Sequence, residues 1–361
     1  MSRRARIVTI VGARPQYIKL APLQRALAPL GLDHRIINTG QHYDYQMAGV
    51  FFRELELPKP AANLDVGSAD AAEMTARILE RCAVELRRLR PDLVVVIGDT
   101  NSTLGGALAA AQLHLPLAHI EAGLRCFDLD TPEELNRLVT DHVARHLYCP
   151  TPQAVANLKT EGIATGVSLT GDLLYDVLTD TLPGARETSA ILEKLKLTPQ
   201  SYYVVTLHRA DSVDDRVKLT TLVEMLSALP APTIFPVHPR TRERLRSFKL
   251  LGRLRQSKSV RLVEPVGYRQ MLALIRGCRM LLTDSGGLQR EAYFLRRPTA
   301  LLREVTEWVE IVRSGGSVVV GFDPEKLRKT LTGHRFSFSN RTFCRTGAAS
   351  RIARKLAAAA R

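Results

Sequence analysis

Cysteine is scarce in this 361-residue chain, and the five present, Cys82, Cys126, Cys149, Cys278 and Cys344, are odd in number, far apart and never spaced C-x-x-C. Neither a disulfide frame nor a zinc knuckle is expected, and reduced thiols fit a cytoplasmic setting. Long apolar runs are lacking as well. The run at 7–11 is too short for a signal core and ends at Gly12-Ala13-Arg14, and no window approaches a membrane span, so no membrane partner is expected. Acidic residues number 36 against 51 Lys plus Arg, a net charge of +15 that favours an anionic partner. That partner is not expected to be nucleic acid, because the basic residues are scattered and no aromatic-interleaved stripe accompanies them. The dinucleotide fingerprint G-x-G-x-x-G is also absent.

What is present reads as strand then helix, repeated. At 45% hydrophobic and 24% charged the composition is globular, and the length suggests two domains of roughly 150 to 200 residues. Apolar runs predict strands at 6–11, 35–38, 93–97, 117–120, 146–149 and 167–170, then at 202–207, 234–237, 259–263, 279–283, 299–302 and 317–320. Helical spacing falls at 18–30, 71–89 and 104–113. The expected fold class is therefore α/β, two doubly wound parallel-sheet, Rossmann-like domains facing a cleft. The expected division is 1–172 for the first domain, 173–340 for the second, and 341–361 as a C-terminal helix packing back on the first.

In such sheets ligands sit beyond the carboxyl ends of the strands, and the polar residues gather there. Arg14 and Lys19 follow the first strand, and Asp99 follows the run at 93–97. Asp99 reads equally as a helix N-cap. His119 and Glu121 have the H-x-E spacing of zinc deaminases, but the later P-C-x-x-C is missing, so no metal is expected there. Thr131-Pro132-Glu133-Glu134 reads as a helix start that capping alone would explain, whereas Arg137, one turn on, is not so explained. The segment Thr283-Asp284-Ser285-Gly286-Gly287 ends a strand and opens a helix, where free backbone N–H groups suit a phosphate. Glu291 lies further along that helix, placed to accept hydrogen bonds from a ribose.

The ordered set Gly12-Ala13-Arg14-Pro15-Gln16-Tyr17-Ile18-Lys19, Gly98-Asp99-Thr100, His119-Ile120-Glu121-Ala122-Gly123-Leu124-Arg125, Pro132-Glu133-Glu134-Leu135-Asn136-Arg137, His208-Arg209 and Thr283-Asp284-Ser285-Gly286-Gly287 resembles the bacterial non-hydrolysing UDP-N-acetylglucosamine 2-epimerases, from about residue 6 to residue 357. The resemblance implies a glycosyltransferase-B-like fold, a homodimer, no cofactor and no catalytic metal. The implied partners are UDP-N-acetylglucosamine and UDP. By the same resemblance Asp99, Glu121, Glu133 and His208 match catalytic positions, and Arg14, Lys19, Arg137, His238, Ser285, Gly286, Gly287 and Glu291 match substrate-holding ones. Gln41, His42 and Gln46 match positions where some members bind a second, activating substrate molecule. No arginine near 66–72 completes that activating site. Two departures stand out: Ala-Arg-Pro-Gln after Gly12 where many members have Thr-Arg-Pro-Glu, and Ala210-Asp211 after His208-Arg209 where many have Arg-Glu.

The implied chemistry is reversible inversion at C2 through loss and re-addition of UDP, which asks for proton carriers on both faces of the sugar and groups that stabilise a departing diphosphate. The rival expectations are a hydrolysing epimerase that releases N-acetylmannosamine and UDP, a 2-epimerase of a modified sugar such as a diacetamido uronate, and a UDP-sugar-binding module without catalysis.

Overall fold

Strand β4, Leu93–Ile97, buries every residue of its Leu-Val-Val-Val-Ile run, the mark of a strand covered on both faces. The computed structural model describes residues 3–40, 52–53, 55–67, 69–342 and 344–361, and within them β4 lies near the middle of a seven-stranded parallel sheet. Its strands are β1 Arg6–Val11, β2 Asp33–Asn38, β3 Ala62–Asn63, β4, β5 Leu117–Ile120, β6 His146–Cys149 and β7 Val167–Leu169, in the order β3-β2-β1-β4-β5-β6-β7. A second parallel sheet holds β8 Tyr203–Thr206, β9 Thr233–Pro236, β10 Val260–Val263, β11 Met280–Thr283, β12 Thr299–Leu301 and β13 Ser317–Val319, in the order β10-β9-β8-β11-β12-β13. The strand order reverses direction between β1 and β4 in one sheet and between β8 and β11 in the other. Those two switch points are where a doubly wound sheet opens a crevice for ligand.

Helices on both faces follow from spacing. The helix Ala71–Leu89 buries Met74, Ile78, Cys82, Leu86 and Leu89, one stripe at three- and four-residue intervals. Asp70 caps its start by accepting from Glu73 N at 2.9 Å, and Arg90 closes it in the left-handed conformation. Behind β4 the helix Asn101–Gln112 is rich in alanine and glycine because it is squeezed between that helix and the sheet. A Cβ on Gly105 would lie 2.6 Å from Ile78, and one on Gly106 2.9 Å from Ile10. The helix begins at Asn101 with Thr100 as its N-cap, which removes the capping explanation for Asp99. Likewise Arg14–Leu27 is helical from Arg14 onward, so Arg14-Pro15, which precedes the helix expected at 18–30, is the first helical turn, the place where proline is tolerated. The last residues of the run expected as helix, Ala28–Leu30, form a 3₁₀ turn closed by Gly31. Gln41, His42 and Gln46 lie outside the described residues.

The chain divides into two compact units, Met1–Thr179 with Thr342–Arg361, and Asp180–Arg341. The crossing falls inside the helix Leu173–Thr181 rather than before it, because Leu173 joins the core of the first unit. In that core it packs with Ile352 and Leu356 of the terminal helix Ala348–Ala359. Asp176 fastens that helix by accepting from Gly347 N and Ala349 N, each at 2.7 Å, and Arg351 donates to Thr170 O at 2.8 Å.

One histidine of the first sheet gives the fold a pH dependence. His34 on β2 packs its ring between Thr9, whose hydroxyl lies 2.8 Å from Nε2, and Gln24, and burial lowers its pKa to about 4 despite the nearby Asp33. A folded pKa below the unfolded 6.5 means that this stability is complete above pH 6.5 and is lost as pH falls toward 4, by about 3 kcal/mol in all. His34→Gln is expected to show a smaller drop in urea midpoint than the parent between pH 7 and pH 4.5. Parallel pH curves for the two proteins would refute it.

Candidate active site

The carboxyl ends of β1, β4 and β5 converge at the first switch point, and the topology makes neighbours of residues far apart in sequence. Lys19, one turn into the helix after β1, places Nζ 2.5 Å from Glu121 Oε2 at the end of β5, with both side chains buried. Glu121 holds φ at 72°, a left-handed conformation that costs a non-glycine residue about 1–3 kcal/mol and persists where surroundings over-determine it. Its N–H and that of Ala122 both donate to Tyr148 O, at 3.1 and 3.2 Å, which pins the turn. Between β4 and Asp99 stands Gly98 at φ 70°, its Cα close under the Lys19–Glu121 pair. Asp99 itself is half-buried.

Arg137 of the helix Pro132–Val143 donates through Nη1 to Asp99 Oδ2 at 2.8 Å and through Nε to Glu134 Oε2 at 2.6 Å. Its guanidinium, expected to hold substrate, is thus buried and directed at two carboxylates of its own chain. Asn136 donates to Asp99 O at 2.9 Å, so side chain and backbone of Asp99 are both fixed from this helix. Glu134, not Glu133, takes the internal role: it is buried and accepts from Cys126 N and Phe127 N at 3.0 and 2.8 Å. Burial alone would raise its carboxyl, but Arg137 and those two N–H groups hold it below the ordinary value. Glu133, one residue earlier, is half-buried.

Gln16, where many members were expected to have glutamate, has a structural reason. Its Oε1 accepts from Gly12 N and Ala13 N at 2.8 and 3.0 Å, while Nε2 donates to Ile97 O and Thr103 Oγ1 at 2.8 and 3.0 Å. An amide satisfies all four partners, and an ionised carboxylate could not donate to Ile97 O. The turn that presents Arg14 is thereby tied to the end of β4.

The second unit has a parallel arrangement at β8 and β11. Asp284, fully buried after β11, accepts from His208 N and Arg209 N at 2.8 and 2.9 Å through Oδ2, and its Oδ1 lies 3.0 Å from His208 Nδ1. Burial would raise the Asp284 carboxyl, but His208 and the two backbone N–H groups hold it below the usual carboxylate range. The His208 ring is 41% exposed, and its Nδ1 is oriented by the Asp284 carboxylate. His238, exposed after β9, caps the helix Pro239–Ser247, and its ring centroid is 5.9 Å from that of His208.

Ser285 caps the helix Gly286–Phe294 by accepting from Leu288 N at 3.3 Å. Gly286 admits a close approach: a Cβ there would lie 2.2 Å from Glu307 Oε1. Glu307 pairs with Arg303 at 2.9 Å, and Arg303 also donates to Thr306 Oγ1 at 2.6 Å. Arg290, on the same helix, stacks its guanidinium 4.0 Å over Trp308. Glu291 is buried and accepts from Tyr268 OH at 2.8 Å.

Sequence reasoning missed the supporting residues. Asp284 and Asn136 stood inside the motifs without a role and Glu134 with only a capping one, and Asp141 and Tyr148 carried no signal because their partners lie 16 to 27 positions away. Among the described residues no group of three or more His, Cys, Asp and Glu side chains could hold a metal ion, and no helix is long and apolar enough to cross a membrane.

A sequence profile for the family described as UDP-N-acetylglucosamine 2-epimerase matches residues 25–357. The chain is similar to a UDP-N-acetylglucosamine 2-epimerase homolog of Methanococcus maripaludis, 42% identical over 339 residues that cover 94% of each protein. It is also similar to the UDP-2,3-diacetamido-2,3-dideoxy-D-glucuronate 2-epimerase of Pseudomonas aeruginosa, 40% identical over 363 residues covering 98% of this chain and 99% of that one. Among solved structures, the Methanocaldococcus jannaschii UDP-GlcNAc 2-epimerase in complex with UDP-GlcNAc and UDP superposes with a TM-score of 0.90 at 38% identity, over 97% of this chain and 99% of that one.

Proposed function

This chain belongs to the UDP-N-acetylglucosamine 2-epimerase family, and from that premise we propose that it interconverts UDP-N-acetylglucosamine and UDP-N-acetylmannosamine reversibly, without net hydrolysis, by eliminating UDP and adding it back. The observation that supports this reading most is the pair of carboxylates beside the first switch point, Glu121 held by buried Lys19 and Asp99 held by buried Arg137.

The chemistry explains why two are needed. The C2 hydrogen sits beside an amide nitrogen, so its removal alone would leave an unstabilised carbanion. When the C1–O bond breaks and its electron pair leaves on UDP, C1 becomes oxocarbenium-like and the C2–H bond turns acidic. A carboxylate takes that proton, the C–H pair becomes the C1=C2 bond, and 2-acetamidoglucal and UDP result. Reversal with a proton delivered to C2 from the opposite face, and UDP oxygen re-forming its bond to C1, inverts C2 and closes without oxidation. Asp99, Glu121 and Glu133 are the proton carriers in this reading, each step being worth about 10²–10⁴-fold in rate.

The leaving diphosphate falls to the second unit's residues. The first turn of Gly286–Phe294 offers backbone N–H groups and the positive end of its dipole, Ser285, Gly286 and Gly287 form its entry, and His208, oriented by Asp284, offers a proton or a charge to the phosphate. Glu291 and His238 are assigned to the ribose and diphosphate. Lys19 and Arg137 act through the carboxylates they hold.

The relation to the Pseudomonas aeruginosa protein over nearly the whole chain favours a second reading in which the sugar is a 2,3-diacetamido uronate. Both are tested by incubating the protein with each UDP-sugar in heavy water and following C2 by NMR. Deuterium at C2 in both epimers, with UDP-sugars as the end products, is expected. Absence of deuterium at C2 from either substrate overturns the elimination reading, and free N-acetylmannosamine with UDP as the end products would make the enzyme hydrolysing.

A further inference from the structure

The imidazole of His119, on β5 two residues before Glu121, is fully buried and has no part in the chemistry described above. Both ring nitrogens meet acceptors: Nδ1 lies 2.7 Å from Asp141 Oδ1, and Nε2 lies 2.8 Å from the Gly98 carbonyl. A neutral imidazole has one N–H, a backbone carbonyl can only accept, and an ionised carboxylate can only accept. Asp141 is held in its ionised form, since Oδ2 also accepts from Gly123 N at 3.0 Å and from Arg125 Nη1 at 2.7 Å. The ring therefore donates from both nitrogens, which only the imidazolium can do.

We propose that His119 is a positioning residue of the epimerase reaction, a buried imidazolium that fixes the Gly98 peptide from which Asp99 projects. The inference rests on the reading of Asp99 and Glu121 as proton carriers. Gly98 is held through the peptides on both its sides, its N–H donating to Ile120 O at 2.9 Å and its carbonyl accepting from His119. At φ 70° the glycine has no side chain to brace it, so these two bonds set the direction in which the next residue leaves. Asp141 reaches the other carboxylate too: through Gly123 N it holds the turn that begins at the left-handed Glu121. One buried centre thus braces both reactive turns from behind.

The charges around His119 balance. Asp141 faces it from the helix Pro132–Val143, Arg125 pairs with Asp141 and in turn with Glu161 at 2.7 Å, and the Glu121–Lys19 pair stands two residues along β5. On β6 the Cys149 thiol is pushed up to about 12 by burial and the nearby Asp141, and Tyr148 is also raised by burial, so both are neutral.

The test begins with the unaltered protein. With histidine labelled at both ring nitrogens, His119, identified by loss of its signal in His119→Gln, is expected to carry a proton on each ring nitrogen, as its two acceptors require. A single ring proton there overturns the inference. In kinetics, His119→Phe keeps the ring volume and removes both bonds. It is expected to lower kcat about 10- to 100-fold, the worth of a charge-assisted hydrogen bond, with KM and UDP affinity within about twofold. His119→Gln, which can still donate to Gly98 O, is expected to recover part of the loss. Unchanged kcat in folded His119→Phe overturns the positioning role, and if that variant does not fold the ring-proton count in the parent decides. Full activity of Asp99→Asn would sink the reading of Asp99 itself, an outcome separate from either His119 result.

Discussion

Glu121→Gln is expected to lower kcat by about 10²–10⁴-fold, the range for loss of a positioned proton carrier, while UDP binding to the second unit's residues changes little. The amide cannot take the C2 proton, yet it keeps the size of the carboxylate at a position whose left-handed backbone admits little rearrangement. A purely structural explanation also predicts harm, because Lys19 would be left buried with its anion gone, and breaking a buried pair from one side costs about 3–5 kcal/mol. The double variant Lys19→Met, Glu121→Gln separates the two. It removes both charges, so its melting temperature should recover toward the parent value while its activity stays low. Recovery of solvent exchange at C2 together with stability would mean that Glu121 serves only to neutralise Lys19.

The second large effect is expected at Asp284, which touches no proposed reacting atom. Its carboxylate accepts from two backbone N–H groups and faces His208 Nδ1 at 3.0 Å. Asp284→Asn keeps the shape but turns an NH₂ group toward at least one of those donors. Loss of one or two charge-assisted hydrogen bonds, about 2–4 kcal/mol, translates into a fall of about 30- to 1000-fold in kcat/KM. UDP affinity should fall as well if His208 acts on the diphosphate, and isothermal titration with UDP reads this without turnover. Because the Asp284 pKa is depressed in the folded protein, this anchor is complete above the unfolded value near 3.9 and is lost only as pH falls below it. The Asp284 carboxylate should therefore still orient His208 at pH 5. An Asp284→Asn protein with parental kcat/KM and UDP affinity would show that His208 needs no partner.

Much of the scaffold was readable in advance, and the failures have local causes. The strands at 93–97, 117–120 and 146–149 and the helix at 71–89 coincide with the observed elements, because a doubly covered strand is uniformly apolar and an amphipathic helix repeats every three to four residues. β3 escaped notice: Ala62–Asn63 is a two-residue edge pairing, too short to show a period. The start of the helix at Arg14 was misplaced because Pro15 reads as a turn residue, although proline at a helix start lacks only an N–H that would have no partner there. In the candidate site the residue types were legible but not their partners. Capping spacing could not say whether Glu133 or Glu134 turns inward, and Arg137 gave no sign that it would face Asp99.

By itself the sequence determined the class of fold and the chemical inventory, since hydrophobic period and strand-end polar residues are local properties of the chain. Tertiary structure alone decided which groups meet. Lys19 and Glu121 are 102 positions apart and His208 and Asp284 are 76 apart, and they become neighbours only because parallel strands distant in sequence lie side by side at the switch points. Whether a buried carboxylate is held ionised, and whether an imidazole must carry both protons, depends on the donors and acceptors within about 3 Å of it, and crossover connections set those neighbours rather than adjacent residues.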